Sequence, residues 1–202
     1  VCAVMGRCAR RPVKLAALAF SLVYLGAVAM IMFLSRSNSA FSVINEIGPR
    51  WAYGISYRLS ADSLSLGLIG LTAFLNLVCV VASWDQEVSA GYWVCFLALA
   101  SALTGVFLAR DLFFFYVFWE ATLIPMFFII GLWGSSGRRH AAVKFFLFTF
   151  GGSVFMLLAI LALVSAHHGA TGVWTWDLAE LKATALGASA PLVFWGLVLG
   201  FA

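Results

Sequence analysis

Polar residues along this chain collect in short clusters, leaving apolar runs of about twenty residues between them. A hydrocarbon core about 30 Å thick needs about 20 apolar residues per helix. Four runs meet that length, roughly 15–34, 63–83, 92–109 and 112–133. A fifth lies near 142–165, and a sixth begins around 190 and runs to the C-terminus. Continuous apolar stretches this long predict membrane-spanning helices. VCAVMG (1–6) resembles the tail of an earlier apolar helix, PLVFWGLVLGFA (191–202) reads as the opening of another, and the first residue is Val rather than Met. The expectation is an all-α, polytopic transmembrane helical bundle. It has about five full spans plus partial spans at both ends, and forms one membrane domain over 1–202 that is a fragment of a longer protein.

Composition supports the same class. The chain is 64% hydrophobic and 10% charged, with a mean hydropathy of +1.05, whereas soluble domains are about 45–50% apolar and about 25% charged. RCARRPVK (7–14), the following apolar run and SNSA (37–40) imitate a secretory signal peptide with a small-residue cleavage site. That apolar run is too long for a signal core of roughly 7–15 residues, which favours a retained span.

The polar breaks sort into two sets. RCARRPVK (7–14), WDQEVSAGY (84–92) and GSSGRRH (134–140) fall on one side, and 35–62, the ARDL turn (109–112) and 166–189 on the other. Arg7, Arg10, Arg11, Lys14, Arg138 and Arg139 are concentrated in short loops of the first set, which is therefore expected on the cytoplasmic or matrix side. The net charge of +4 is explained by this topology and does not point to nucleic acid.

The long loops are expected to carry little chemistry. WTWDLAELKAT (174–184) reads as a short surface helix, with Asp177 and Glu180 at capping-box spacing and its tryptophans suited to the membrane interface. His167 and His168 fall just past a span end and read as solvated loop histidines. Cys2, Cys8, Cys79 and Cys95 show no ligand spacing, so no disulfide framework or iron–sulfur site is indicated. Cys79 and Cys95, inside apolar runs, read as small core residues. There is no dinucleotide-binding glycine motif, P-loop or zinc-protease motif. Redox or nucleotide chemistry would therefore belong to another chain.

The exception to all this apolarity is Glu120, within LFFFYVFWEATLIPMFFIIGLW (112–133). It lies about 12 Å along its helix at 1.5 Å per residue, well inside the hydrocarbon. A charge there costs at least about 2.5–3.5 kcal/mol, and such residues usually mark ion or proton pathways. The plainer reading is a protonated carboxyl that satisfies a neighbouring backbone or hydroxyl group. Pro125 removes the hydrogen bond to the carbonyl of Ala121, favours a kink, and leaves an acceptor beside the carboxylate. The kink could equally serve packing alone. Lys144, in AAVKFFLFTF (141–150), reads either as a side chain snorkelling to the interface or as the cytoplasmic end of a proton route.

DLFFFYVFWEATLIPMFFIIGLWG (111–134), KFFLFTFGGSVFMLLAILAL (144–163) and ATGVWTWDLAEL (170–181) resemble the antiporter-like, proton-translocating membrane subunits of complex I, the NADH:quinone oxidoreductase. RLSADSLSLGLIGLTAFLNLVCVVASW (58–84) is similar to the same family's third helix and preceding loop, with Ser63 replacing a glycine. The resemblance implies a fourteen-helix fold with two inverted repeats, of which 91–202 would be the first part of the first repeat and 1–90 the preceding helices and loop. Glu120 would match the family's fifth-helix glutamate, which pairs with a seventh-helix lysine expected just beyond Ala202. Lys144 would match the lysine opening the sixth helix. The implied function is proton translocation through a buried Glu/Lys relay, driven by quinone reduction elsewhere. No cofactor is expected in this chain; flavin, iron–sulfur clusters and quinone would sit in partner subunits. Partners would be neighbouring antiporter-like subunits and the lipid bilayer, in a bacterial inner membrane. Two alternatives stand beside this reading. One is a subunit of a multi-chain sodium/proton antiporter or membrane-bound hydrogenase. The other is a structural membrane anchor, for which GxxxG at 196–200 and ALASALTG (98–105) would suffice.

Overall fold

The computed structural model describes residues 11–37, 43–46, 52–184 and 187–201. The expected earlier helix (1–6), together with Arg7, Arg10, Arg50, Cys2 and Cys8, lies outside the described residues. Among the described residues, five helices are long and apolar enough to cross a membrane. They are α1 (Arg11–Ser37), α2 (Ser63–Ala82), α3 (Ala90–Leu108), α4 (Leu112–Trp133) and α5 (Arg138–Thr171). A four-residue helix α6 (Leu178–Leu181) and the apolar α7 (Ala190–Phe201) follow. Successive long helices pack against one another, as short connections between antiparallel neighbours require. Large apolar side chains stand open on the surface, among them Phe33, Leu64 and Phe148, at 75%, 72% and 81% exposure. No water-facing surface would tolerate this density of them, so the outside of the bundle is suited to lipid.

The two sets of breaks fall on opposite ends of the bundle. On one end the Lys14 ammonium donates to the carbonyls of Trp84 and Gln86 at 2.6 and 3.0 Å, tying the start of α1 to the α2–α3 turn. Tyr92 meets Trp133 edge to face at the same end. At the other end, 52–61, 109–111 and 174–181 come together. The loop after α1 contains a feature the hydrophobic pattern did not indicate, an antiparallel ribbon of β1 (Val43–Glu46) and β2 (Arg58–Ala61) in which Val43 pairs with Ala61 and Glu46 with Arg58.

Two boundaries differ from expectation in an informative way. α5 runs from Arg138 to Thr171 rather than over 142–165, a length of about 51 Å that exceeds the hydrocarbon core. Polar residues at both ends had read as loop, yet Arg138–His140 and His167–His168 are helical. The helix stops at Gly172, whose positive φ of 73° closes the last turn with a bond from its amide to the His168 carbonyl. His167 and His168 are therefore not free loop side chains. Nδ1 of His167 lies 2.7 Å from the Thr184 hydroxyl, and His168 stacks on Trp174. Cys79 departs as well: it is exposed on α2 rather than in a core, and Cys95 is half-buried.

The GxxxG pair on α7 is a packing surface. A Cβ at Gly196 would meet Ala159 Cβ at 2.8 Å, and one at Gly200 would collide with Met156. Backbone-to-backbone approach of this kind replaces the hydrophobic driving force that helices lack in lipid. It places α7 against the α5 segment of Met156, Ile160 and Val164, which forms a core with Trp176 and Leu181. A second core joins Ala17, Val80, Val88 and Trp93, and a third Val28, Ile69 and Ala73.

Candidate functional site

α4 begins where Asp111 caps it, its carboxylate accepting from the Phe113 amide at 2.9 Å. The helix then runs unbroken through Pro125, which is buried. Proline supplies no N–H to the Ala121 carbonyl, and nearby the Thr122 hydroxyl donates to the Trp119 carbonyl at 2.7 Å. Glu120 stands about 12 Å from the Asp111 end and about 20 Å from the Trp133 end. Its carboxyl is half-buried, and Oε1 is sealed from solvent without a hydrogen-bond partner. The neighbouring Trp119 indole N–H is also buried and unpartnered. Two orphaned polar atoms in adjacent residues within a span are uncommon, because a buried polar group without a partner is expensive.

What faces Glu120 comes from α4 itself and from α5. These helices are antiparallel, with Phe127 stacked edge-on to Phe146 and Gly131 against Ala142. Tyr116, one turn before Glu120, has its phenol beside both the Glu120 carboxyl and the Ser153 hydroxyl. Lys144 does not share this level. The register puts Glu120 opposite 149–153, so Lys144 is displaced by roughly 8–14 Å along α5, and it is exposed. The structure therefore does not bring Glu120 and Lys144 together, and neither takes part in an ion pair among the described residues. A cleft of about 560 Å³ between α4, α5 and α7, lined by Trp119, Thr149, Gly152, Phe155, Leu199 and Phe201, opens on the Trp119 side of α4.

A second polar assembly, one that the sequence pattern did not indicate, lies at the Asp111 end of the bundle. Three distant segments run side by side there. The Arg110 amide donates to the Arg58 carbonyl, the Leu112 amide to the Trp176 carbonyl and the Leu178 amide to the Arg110 carbonyl. Leu59 is bridged to Ala109 and Asp111 to Asp177. Across this seam the Arg58 guanidinium donates to Asp177 at 2.6 Å and Arg110 reaches the same carboxylate at 3.4 Å. Asp177 also caps α6 through the Ala179 amide at 2.7 Å. Burial opposes the ionisation of Asp177, but the Ala179 amide, Arg58 and Arg110 outweigh it and hold the carboxyl below its ordinary range. Asp111, fully buried, is the converse. Burial pushes its carboxyl up despite the Ser56 and Phe113 amides that donate to it. The segments expected to carry little chemistry thus supply a buried ionic seam. Trp176 likewise turns inward, its indole N–H donating to the Tyr53 carbonyl at 3.0 Å, and only Trp174 remains at the surface.

Residues 109–202 match the family described as NADH:quinone oxidoreductase/Mrp antiporter, TM. Subunit M of the NADH-quinone oxidoreductase of Pseudomonas aeruginosa is 44% identical over 156 residues, 73% of this chain and 30% of that protein. This chain thus spans about a third of the length of such relatives. Among solved structures, a chain of respiratory complex I from Thermus thermophilus superposes over 94% of this chain and 42% of its own length, with a TM-score of 0.73 and 26% identity. A chain of the Mrp complex from Dietzia shares the fold over 94% of this chain and 35% of its own, with a TM-score of 0.71 and 23% identity. This helical membrane chain, with a carboxylate inside α4 and matched in sequence and fold to these subunits, belongs to the antiporter-like membrane subunit family of NADH:quinone oxidoreductases and Mrp antiporters.

Proposed function

We propose that the chain is part of the subunit M-type membrane component of a proton-pumping NADH:quinone oxidoreductase in a bacterial inner membrane, with Glu120 as a proton-carrying group. The observation that carries this reading is the sealed, unpartnered Glu120 carboxyl oxygen inside α4. An ionisable carboxyl inside a span marks a proton or ion route, and a carboxyl can take up and pass on a proton without any cofactor in this chain. Flavin, iron–sulfur clusters and quinone belong to partner subunits in this reading, and the neighbours in the membrane are related antiporter-like subunits. Lys144, exposed and displaced from Glu120, serves as the proton-entry end on the side of the 134–137 turn rather than as the cation that switches Glu120. The switching cation comes from outside the described residues.

The test is Glu120→Gln in the intact, full-length complex. NADH oxidation by an artificial acceptor such as ferricyanide is expected to stay at its normal rate, because that reaction needs no proton route. NADH-driven proton pumping is expected to fall by about a hundredfold or more, the usual scale for removing a proton-transfer group. Full pumping by an assembled variant rejects the reading. Loss of assembly favours the structural-anchor alternative.

A further inference from the structure

We propose that Tyr116 is a positioning residue for Glu120, its phenol donating to the carboxyl in both its protonated and its ionised form, with Ser153 of α5 orienting that phenol. The inference rests on the reading of Glu120 as a proton carrier and deepens it.

Three observations converge on this arrangement. Glu120 Oε1 is sealed in the protein with no partner, so its ionised form requires a donor that the surroundings must supply. Tyr116 is four residues earlier on α4, the spacing that brings side chains onto one helix face, and its hydroxyl lies beside the carboxyl. Trp119 also carries a buried free N–H, but adjacent helix positions point about 100° apart, and its ring packs on Phe201 and against the cleft instead. The phenol is therefore the donor aligned with Glu120.

Ser153 supplies the second half. It is fully buried at the level of Tyr116, and its hydroxyl donates to the Phe150 carbonyl at 2.8 Å while standing next to the Tyr116 oxygen. A serine hydroxyl has a single proton and two candidate acceptors here. While it donates to Phe150, Ser153 cannot also donate to the Tyr116 oxygen. When Ser153 turns to Tyr116, the phenol is polarised and its own O–H bond towards Glu120 strengthens, as bonds in a chain do. No bond is made or broken in this device. Its effect is to solvate the carboxylate from within the protein.

The experiment reads the infrared carboxyl C=O stretch of protonated Glu120 in the intact complex, assigned as the band lost in Glu120→Gln. Tyr116→Phe removes only the hydroxyl and is expected to move that band to higher wavenumber, as loss of a hydrogen bond does, and to slow proton pumping by roughly tenfold. Should Tyr116→Phe fail to assemble, Ser153→Ala is expected to move the band in the same direction by a smaller amount. An unmoved band in the variant that assembles overturns the inference. If the band moves while Glu120→Gln pumps normally, the contact stands and the proton-carrier reading fails. If Glu120→Gln abolishes pumping while Tyr116→Phe changes neither band nor rate, the reading stands and the inference fails.

Discussion

Asp177 receives an amide and two guanidinium groups while almost wholly buried. The energetic consequence is asymmetric. A buried ion pair adds little over a well-packed apolar substitute, but removing one partner strands a charge at a cost of about 3–5 kcal/mol. Arg58→Ala leaves Asp177 the Ala179 amide and the longer Arg110 contact, and is therefore expected to lower the stability of the purified full-length protein by up to that order, seen as a lowered melting temperature in detergent. A neutral effect would show that the seam is solvated. The pH dependence has a defined sign. Because the folded Asp177 lies below its ordinary 3.8, its contribution is complete above about pH 4 and is lost as the pH falls through the lower folded value. Asp177→Asn is expected to flatten that acid limb of the melting curve. Asp111, raised by burial, acts oppositely and costs stability as the pH rises from 3.8 through its folded value. Only the capping role of Asp177 was legible from sequence. Arg58 and Asp177 are 119 residues apart, and nothing in either polar break pointed to their pairing. Glu120 was legible because a lone carboxylate in a long apolar run stands out without any knowledge of what surrounds it. Its neighbours Tyr116 and Ser153 did not stand out, since hydroxyl-bearing side chains are common in membrane helices and only the α4–α5 register brings these two together.

At the scale of elements, the spans were readable because their requirement is simple: a length of apolar residues equal to the membrane thickness. Their ends were less so, because a helix end is fixed by backbone bonding and caps rather than by polarity. α5 shows this, passing through Arg139 and His167 to reach a glycine with positive φ. Where the tail sits was signalled by GxxxG, but its partner was not. The partner is α5, at Phe155, Met156 and Ala159. Gly200→Leu is therefore expected to push α7 off Met156 and reduce assembly of the full-length protein several-fold, with Gly200→Ala intermediate. Wild-type assembly of the leucine variant, measured on native gels, would mean that α7 docks elsewhere.

For the molecule as a whole, the arrangement separates two tasks. The Asp111 end is locked by paired backbone and a buried ionic seam. The interior of α4 and α5 carries an underpaired carboxyl, an underpaired indole and a cleft. A rigid end and an unsatisfied middle suit a helix pair that must change the state of one group without moving far. Sequence resemblance pointed to the same family that the comparisons establish, with the lysine partner of Glu120 expected beyond Ala202 and Lys144 opening the next helix. The register of α4 and α5 sets Lys144 at a different level from Glu120, a relation that residue spacing within a single helix does not reveal.

The most direct measurement asks whether Glu120 changes protonation during turnover. Infrared difference spectra of the intact complex, recorded before and after NADH addition, are expected to show a carboxyl C=O band that appears or disappears in the wild type and is absent in Glu120→Gln. A wild-type spectrum with no carboxyl band that depends on Glu120, from a complex that is pumping, would contradict the account.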